Sequence, residues 1–512
     1  MVTWIPDPTF YPSPRLATQA PPEKLAYVAS FDPTRKRPDA MAVVDVDPES
    51  ASYGGIVGQT DLAIGDELHH FGWNACSSCL CPNAPHPHIE RRYLIVPGIR
   101  SSRLHVLDTK PDPVHPKLIR TIEASELANR AGYSRPHTVH CGPEGIYVSA
   151  LADADGKRPG GIFLMDHESF DVRGRWELDR GPQELAYDLW WHLGYDTMVT
   201  SEWGTPDMFE NGLIPEKVLG SEYGHRLHFW DLLKRRHVQE IDLGKDHQLV
   251  FELRPAHDPT KAYGFVGVVL CLNDLSSSVF LWHREGGRWA TTKVISIPAE
   301  PAEPDQLPPM LKDFKACPPF VTDIDLSVDD KYLYVSCWGT GEFHQYDVSD
   351  PFKPRLTGKL RIGAWSHVLR IRSTMSPSMV ALRWSRSVAM DAASTSPILS
   401  TAPLTTNFIQ TGSRAGWSRS TRSPRAGSRL MTISSWPGPR ATCRIRCACK
   451  AETRPRIPIV TREMNVRHLR RVAGTASRCN RIEGPATIDD ATGLSLLSTM
   501  LGKGCFSTFE AR

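Results

Sequence analysis

The sequence lacks any apolar run long enough to cross a membrane, since no stretch approaches the roughly 18 consecutive apolar residues that a spanning helix needs. The first 20 residues also lack the charged-then-apolar order of a secretory signal peptide, because Asp7 and four prolines interrupt them. We therefore predict a soluble cytoplasmic protein with no membrane span. In that reducing compartment its 12 cysteines are expected to be free thiols or metal ligands rather than disulfides.

Several familiar catalytic motifs are missing as well. The sequence contains no P-loop, no dinucleotide-binding glycine fingerprint, no G-x-S-x-G elbow and no zinc-protease helix. It therefore offers no motif for nucleotide chemistry, serine hydrolysis or zinc proteolysis.

The last part of the chain lacks tyrosine and has few acidic residues. All 13 tyrosines lie at or before Tyr346. Residues 364–512 carry 23 Lys and Arg against 7 Asp and Glu, whereas residues 1–363 carry 37 against 50. A single evolved domain seldom has so uneven a composition. An Arg-rich tail can indicate nucleic-acid binding, but a shifted reading frame, described below, explains it better, so we predict no nucleic-acid partner.

A loose internal repeat runs through residues 25–360. Each copy is a β-rich run ending in a few mostly apolar residues and then Asp or, once, His, and strand-like segments flank most copies. The six runs end at Asp45, Asp108, Asp166, Asp231, His283 and Asp347. Short strands and turns at repeated offsets are typical of β-propeller blades, and the spacing of 52–65 residues predicts long loops. The sequence therefore predicts an all-β propeller with six visible blades, the alternative being a pair of β-sandwiches.

The densest group of reactive side chains lies in the segment Asp66–Cys79. It holds two carboxylates, the imidazoles of His69 and His70, an indole, and the thiols of Cys76 and Cys79. A loop-like segment contributes few side chains to the hydrophobic core, so we expect its side chains to bind a ligand. The Cys-x-x-Cys pair alone fits a redox site, half of a metal site or an incidental arrangement.

Two further histidine groups are candidates for a site. His137 and His140 lie in the segment Arg135–Cys141, but on a strand three residues apart they need not face the same way. His257 precedes a predicted strand at a turn. A site of several neutral imidazoles suits copper or zinc. Because 17 of the 19 histidines lie before residue 363, however, several of them must have structural roles instead.

The sequence resembles the selenium-binding protein family, whose members include copper-dependent methanethiol oxidases. The segments that carry the resemblance are Asp66–Cys79, His137–Cys141, Ser201–Trp203 and Thr322–Gly363. The most specific stretch runs from Tyr332 to Gly358, and the match covers roughly residues 22–363 in family order.

The resemblance implies a seven-bladed propeller, of which the closing blade is lost here. It also implies oxidation of methanethiol by oxygen and water to hydrogen sulfide, formaldehyde and hydrogen peroxide, with copper as the redox centre. The implied metal candidates are His69, His70, His137, His140 and His257, and the implied selenium- or thiol-binding residues are Cys76 and Cys79. Some animal members carry cysteine where this chain has Gly54, so selenium chemistry at that position does not transfer.

Residues 364–512 resemble the family's C-terminus read one base out of frame. The family continues with a segment like D-D-Q-F-Y-P-D-G, and its codons, with free synonymous choices, read one base later give Thr405–Gly412. A second family segment, P-H-Q-V-R-L-Q-G-G-D, gives Arg444–Thr453 in the same way. GC-rich coding DNA read out of frame tends to yield Arg and Ser, which also explains the composition.

We therefore divide the chain into an N-terminal extension (1–21), an incomplete propeller (22–363) and an aberrant Arg- and Ser-rich tail (364–512) that is expected to be disordered. The leading hypothesis is a copper enzyme that oxidises a small thiol with oxygen and is impaired by the lost blade. The second is a non-enzymatic protein that binds selenium or thiols through Cys76 or Cys79. A purely structural propeller scaffold is the third.

Overall fold

The chain folds into short antiparallel strands, in a computed structural model that describes residues 23–75 and 89–361 together with strands at 417–419, 431–433 and 447–450. Six sheets of four strands each form the blades of a β-propeller. The first two sheets contain β1 (Leu25–Ser30), β2 (Pro38–Asp45), β3 (Ile56–Ile64) and β28 (Cys447–Lys450), and then β4 (Gly72–Trp73), β5 (Tyr93–Pro97), β6 (Leu104–Asp108) and β7 (Lys117–Ile122). The next two contain β8 (Tyr133–Gly142), β9 (Gly145–Asp153), β10 (Gly161–Met165) and β11 (Val172–Arg175), and then β12 (Leu189–His192), β13 (Thr197–Ser201), β14 (Arg226–Asp231) and β15 (Arg236–Asp242). The last two contain β16 (His247–Pro255), β17 (Tyr263–Cys271), β18 (Ser277–Glu285) and β19 (Arg288–Ile297), and then β22 (Val321–Leu326), β23 (Tyr332–Cys337), β24 (Glu342–Asp347) and β25 (Arg355–Arg361).

The six sequence runs correspond to one position in the blade. Each run forms the third strand of its sheet, namely β2, β6, β10, β14, β18 and β24. The second strands β9 and β17 are buried along almost their whole length, because neighbouring blades cover both faces of a blade's interior. The outer strand β15 instead alternates between exposed and half-buried residues. This arrangement confirms the propeller and excludes the β-sandwich alternative.

The long repeat spacing arises from elements inserted between the strands. The helices are α1 (Ala124–Ala131), α2 (Pro206–Phe209) and α3 (Pro215–Leu219), with 3-10 turns at Leu193–Tyr195, Pro304–Gln306 and Pro309–Phe314. Two further strand pairs are β20 (Glu300–Pro301) with β21 (Ala316–Cys317), and β26 (Trp417–Arg419) with β27 (Met431–Ile433). No helix in the described part of the chain is long and apolar enough to cross a membrane.

The first blade takes one of its four strands from the far end of the chain. Strand β28 pairs antiparallel with β1, with Leu25 opposite Lys450. The predicted N-terminal extension (1–21) and the predicted disorder of residues 364–512, apart from the three short strands there, lie outside the described residues.

An apolar cluster covers the ends of several blades on one face. The segment 202–225, which carries α2 and α3 and which we call the lid, contributes Trp203, Met208, Phe209 and other buried side chains to it. Phe251 from β16 packs into the same cluster. The lid therefore shields the inner ends of the strands beneath it from solvent.

Candidate functional site

Three histidine rings meet beneath the lid. His69 and His70 lie between β3 and β4, and His137 lies on β8 in the next blade. The ring centroids of His70 and His137 are 3.7 Å apart, and those of His69 and His137 are 5.9 Å apart. All three side chains are buried, with at most 1% of each residue exposed. We call His69, His70 and His137 the imidazole cluster.

The turn before β4 explains how two consecutive histidines reach this position. Gly65 and Glu67 both adopt positive φ angles, of 75° and 60°, which turn the chain sharply after β3. Leu68 then forms an antiparallel bridge with Gly98 and is fully buried, so it anchors the segment against the second blade. His69 and His70 follow directly.

A β-bulge places His137. Pro136 pairs with Ala150 and Val139 pairs with Val148, so two residues of β8 oppose Ser149 alone. A bulge of this kind re-aims side chains and is common beside active sites. It turns His137 towards the imidazole cluster.

Tyr187 links the cluster to a carboxylate. Its hydroxyl donates to Glu252 Oε1 over 3.2 Å and lies 3.5 Å from His70 Nε2. Its ring stacks on Phe251 at 4.4 Å and lies 4.6 Å from the ring of His137. Glu252 Oε1 is itself 3.8 Å from His70 Nε2. A phenol and a carboxylate therefore border the cluster on the side of β16.

Carboxyl groups with raised pKa values lie on the other side. Glu67 Oε1 is 3.5 Å from His69 Nε2. Burial raises the pKa of Glu67 to about 7, although Arg100, which donates to Glu67 Oε2 over 2.8 Å, opposes this shift. Burial likewise raises the pKa of Asp39 to about 8, against the backbone N–H groups of Asp32 and Glu67 that donate to it. Both groups bind protons near neutral pH.

The lid is held to the propeller by charged contacts. Glu210, at the end of α2, forms an ion pair with Arg135 of β8, and its backbone oxygen accepts a hydrogen bond from Arg100. Trp203 stacks on Phe209 with ring centroids 3.9 Å apart and lies 6.4 Å from the ring of His137. An apolar wall thus closes the imidazole cluster from above.

His140 and His257 have different surroundings from the imidazole cluster. The ring of His140 lies 4.2 Å from that of Trp190, and its Nε2 is 3.9 Å from Asp188 Oδ1. His257 lies two residues beyond β16, where both its backbone N–H and its Nδ1 contact Asp330 Oδ1 at 2.8 and 2.9 Å. The structure does not bring either ring against His70.

A buried guanidinium neutralises several carboxylates beside His140. Arg254 lies 3.8 Å from Asp188, 3.3 Å from Glu252, 3.6 Å from Asp323 and 3.2 Å from Asp325. Although burial opposes it, these carboxylates raise the pKa of Arg254. The Glu252 carboxylate therefore shares one cation with three other acids.

The thiols give less information about the site. Cys76 and Cys79 lie outside the described residues. Cys271 and Cys337 are buried free thiols, and burial raises the pKa of Cys337, so that thiol is a poor nucleophile.

The described side chains do not form an assembled metal site. Within residues 23–75 and 89–361, no three His, Cys, Asp or Glu side chains are positioned as ligands of one metal ion. The imidazole cluster supplies the right donor type for copper, without three donors that converge on one point.

Sequence reasoning did not single out Tyr187 or Glu252. Both lie in ordinary strand-like segments, more than 45 residues from the nearest histidine of the cluster. No local motif marks them, because their place at the site depends on how the third, fourth and fifth blades pack.

Comparisons with known proteins agree with this architecture. Residues 4–391 match the family model described as "56kDa selenium binding protein (SBP56)". The chain is 38% identical over 358 residues to a methanethiol oxidase of Xenopus laevis, covering 69% of this chain and 72% of that protein. It is 37% identical to selenium-binding protein 2 of Mus musculus over the same shares. The X-ray structure of a hypothetical selenium-binding protein from Sulfolobus tokodaii is 55% identical, with a TM-score of 0.68, over 71% of this chain and 82% of that one.

Proposed function

Because this chain belongs to the 56 kDa selenium-binding protein family, we propose that it oxidises methanethiol in the cytoplasm. The reaction consumes methanethiol, oxygen and water, and yields formaldehyde, hydrogen sulfide and hydrogen peroxide, so atoms and electrons balance. The observation that supports this most is the buried imidazole cluster beneath the lid. The relatives named methanethiol oxidase support the choice of methanethiol as the substrate.

Copper is the metal that this proposal requires. The type of donor fits it, since His69, His70 and His137 are buried imidazoles, and the rings of His69 and His70 lie 5.9 and 3.7 Å from that of His137. Copper would supply the transfer of electrons from the thiol to oxygen. These three histidines would hold it, and His140 and His257 remain the other candidates that family resemblance suggests.

The chain's own residues bind the substrate and accept its proton. The wall of Trp203 and Phe209 offers an apolar surface to a methyl group and keeps water away from the rings. A thiol must lose its proton before oxidation, and Glu252 is the nearest carboxylate to His70 Nε2. The Tyr187 hydroxyl, which donates to Glu252, keeps that carboxylate aimed at the imidazole cluster.

We also propose that residues 364–512, as written, derive from a shifted reading frame. The change of composition near residue 363 supports this, as do the two codon matches at Thr405–Gly412 and Arg444–Thr453. In the family's reading frame the chain would continue into a seventh blade. Activity should therefore be measured on the protein that has this corrected C-terminus.

The test measures copper content, methanethiol consumption and hydrogen peroxide release for the wild type and for His137→Ala. The wild type here is the protein with the corrected reading frame, and we expect copper-dependent turnover in it and loss of that turnover in the variant. A matched control is His192→Gln, since His192 is buried on β12 and its Nε2 donates to the Lys261 backbone oxygen away from the cluster, and this variant should remain active. Copper-free wild type that binds selenite without oxidising thiols would instead favour the selenium-binding alternative through Cys76 or Cys79.

A further inference from the structure

The lid is joined to the propeller differently on its two sides. Its two ends, Glu202 and His225, directly follow β13 and directly precede β14 in the fourth blade. The end of α2 reaches the second and third blades instead, where Glu210 contacts Arg100 and Arg135. We call the side of Glu202 and His225 the hinge side, and the side of Glu210 the latch side.

A buried carboxylate fastens the hinge side. Glu202 Oε2 accepts hydrogen bonds from the backbone N–H groups of His225 and Arg226 over 3.2 and 3.1 Å. His228 Nε2 lies 3.0 Å from Glu202 Oε1, and both of these residues are at most 1% exposed. A side chain at one end of the lid therefore binds the backbone at the other end, out of reach of solvent.

The fifth blade adds further buried hydrogen bonds to the hinge side. The backbone N–H of Val250 donates to the backbone oxygen of Glu202 over 3.1 Å. The fully buried Gln248 side chain donates to the Val218 backbone oxygen over 2.7 Å and accepts from the Tyr223 backbone N–H over 3.2 Å. Opening the lid on this side would break the whole set together.

The polar contacts on the latch side are fewer and partly exposed. Glu210 forms its ion pair with Arg135, and its backbone oxygen accepts from Arg100. The three side chains are 15%, 24% and 17% exposed, respectively. In the described part of the chain, no backbone hydrogen bond joins the lid to the second or third blade. Burial of Met208 and Phe209 keeps the lid closed at rest.

The latch side is therefore the weaker attachment. Ion pairs that water reaches contribute little to stability and are screened by salt. Hydrogen bonds to a buried carboxylate are stronger, and breaking them costs more. The two sides should consequently separate from the propeller at very different frequencies.

We propose that the lid opens as a flap, in which the Glu210 contacts break and α2 moves away from the second and third blades while the Glu202 hinge stays closed. His137 lies two residues from Arg135 on β8, so the side that opens is the side of the imidazole cluster. The inference does not depend on the proposed function, because it concerns a motion of the metal-free protein.

Hydrogen–deuterium exchange of the full-length wild type and Glu210→Ala, read by mass spectrometry, tests the flap. Loss of the charged contacts should speed exchange in residues 206–214 by about 10-fold or more, whereas the amides of His225 and Arg226 should keep their wild-type rates. Glu216→Ala is the matched control, because it removes an exposed carboxylate from α3 of the same lid and should change neither region. Equal acceleration of both regions, or of neither, in Glu210→Ala would overturn the proposal.

Salt provides a readout that needs no variant, so the proposal can fail even if Glu210→Ala does not fold. Raising KCl from about 0.05 to about 0.5 M screens the ion pair and should speed exchange of residues 206–214 in the wild type. This salt dependence should disappear in Glu210→Ala, and its absence from the wild type would contradict a charged latch.

Chemical modification tests whether the flap uncovers the imidazole cluster. Diethyl pyrocarbonate reacts with unprotonated imidazoles, and it should label His137 faster in Glu210→Ala than in the wild type or in Glu216→Ala. Equal labelling of His137 in the three proteins would show that reagents reach the cluster by another route.

Discussion

His70 and His137 lie 67 positions apart in the sequence and in adjacent blades, yet their ring centroids are 3.7 Å apart. Their contact brings two blades and the lid to one point. Tyr187, from the next blade, packs against both rings.

Removing the Tyr187 hydroxyl should weaken both stability and activity. Tyr187→Phe leaves the Glu252 carboxylate without its phenolic donor, and we expect the free energy of unfolding to fall by about 1–3 kcal/mol. Turnover of methanethiol should fall by at least about 10-fold, because a group that orients the site is lost. Denaturant unfolding and oxidase assays measure these effects.

Tyr27→Phe is the control for that variant. The buried Tyr27 hydroxyl donates to the Pro113 backbone oxygen in a different part of the propeller. It should lower stability by a similar amount and leave turnover unchanged. Equal activity of the two variants would contradict the role given to Tyr187.

Replacing Arg254 should destabilise the propeller more than a surface arginine does. Arg254→Met leaves four carboxylates without their shared cation, and losing one partner of a buried ion pair costs about 3–5 kcal/mol. Arg355→Met is the control, since Arg355 forms its ion pair with Asp347 at an exposed position, where such pairs contribute about 0–1 kcal/mol. A loss below 1 kcal/mol for Arg254→Met, measured by denaturant unfolding, would show that the carboxylates protonate or find other partners.

The raised pKa of Asp39 predicts a stability that declines with rising pH. Its pKa is about 8 in the folded protein against 3.8 when exposed, because burial disfavours the charged form. The folded state therefore binds the extra proton between these values, and stability is lost as pH rises through 8. One proton corresponds to a slope of at most about 1.4 kcal/mol per pH unit.

Asp39→Asn separates this effect from the titration of distant histidines. Burial lowers the pKa values of His192, His237 and His247, which gives a slope of opposite sign below pH 6.5. The difference between wild type and Asp39→Asn removes that contribution. The free energy of unfolding, measured at pH 5, 6.5 and 8, should fall in the wild type relative to Asp39→Asn as the pH rises. A constant difference between the two proteins would mean that Asp39 is charged throughout.

Resequencing the gene across codons 360–370 tests the shifted frame. We expect fresh genomic DNA to show one base more or fewer than the present sequence requires. The corrected frame should continue into a segment like D-D-Q-F-Y-P-D-G. An unchanged sequence would mean that the tail is genuinely encoded, and the family's seventh blade would then be absent from this protein.

The blades could be predicted because the signal for them is local. Each third strand, such as β6 or β24, carries its own apolar run, which ends in Asp in five blades and in His283 in one, and the turn residues lie close by. The repeat therefore appears in the sequence, because in the described part of the chain each blade is a sheet of its own.

The site could be predicted in part. His69, His70 and His137 sit in dense motifs, and the structure brings them together. His140 instead packs against Trp190 and lies near Asp188, as expected from the rule that two strand residues three positions apart need not face the same way. Tyr187 and Glu252 could not be found, since their contact with His70 depends on the packing of whole blades.

The lid has a consequence for the timing of any reaction beneath it. The rings of the imidazole cluster are at most 1% exposed, and Glu210 fastens the lid through Arg135 and Arg100. A reactant can reach the rings, and a product can leave them, only while some of the packing around them, of which the lid is one part, is open. The frequency of that opening therefore sets a ceiling on turnover, however fast the chemistry is.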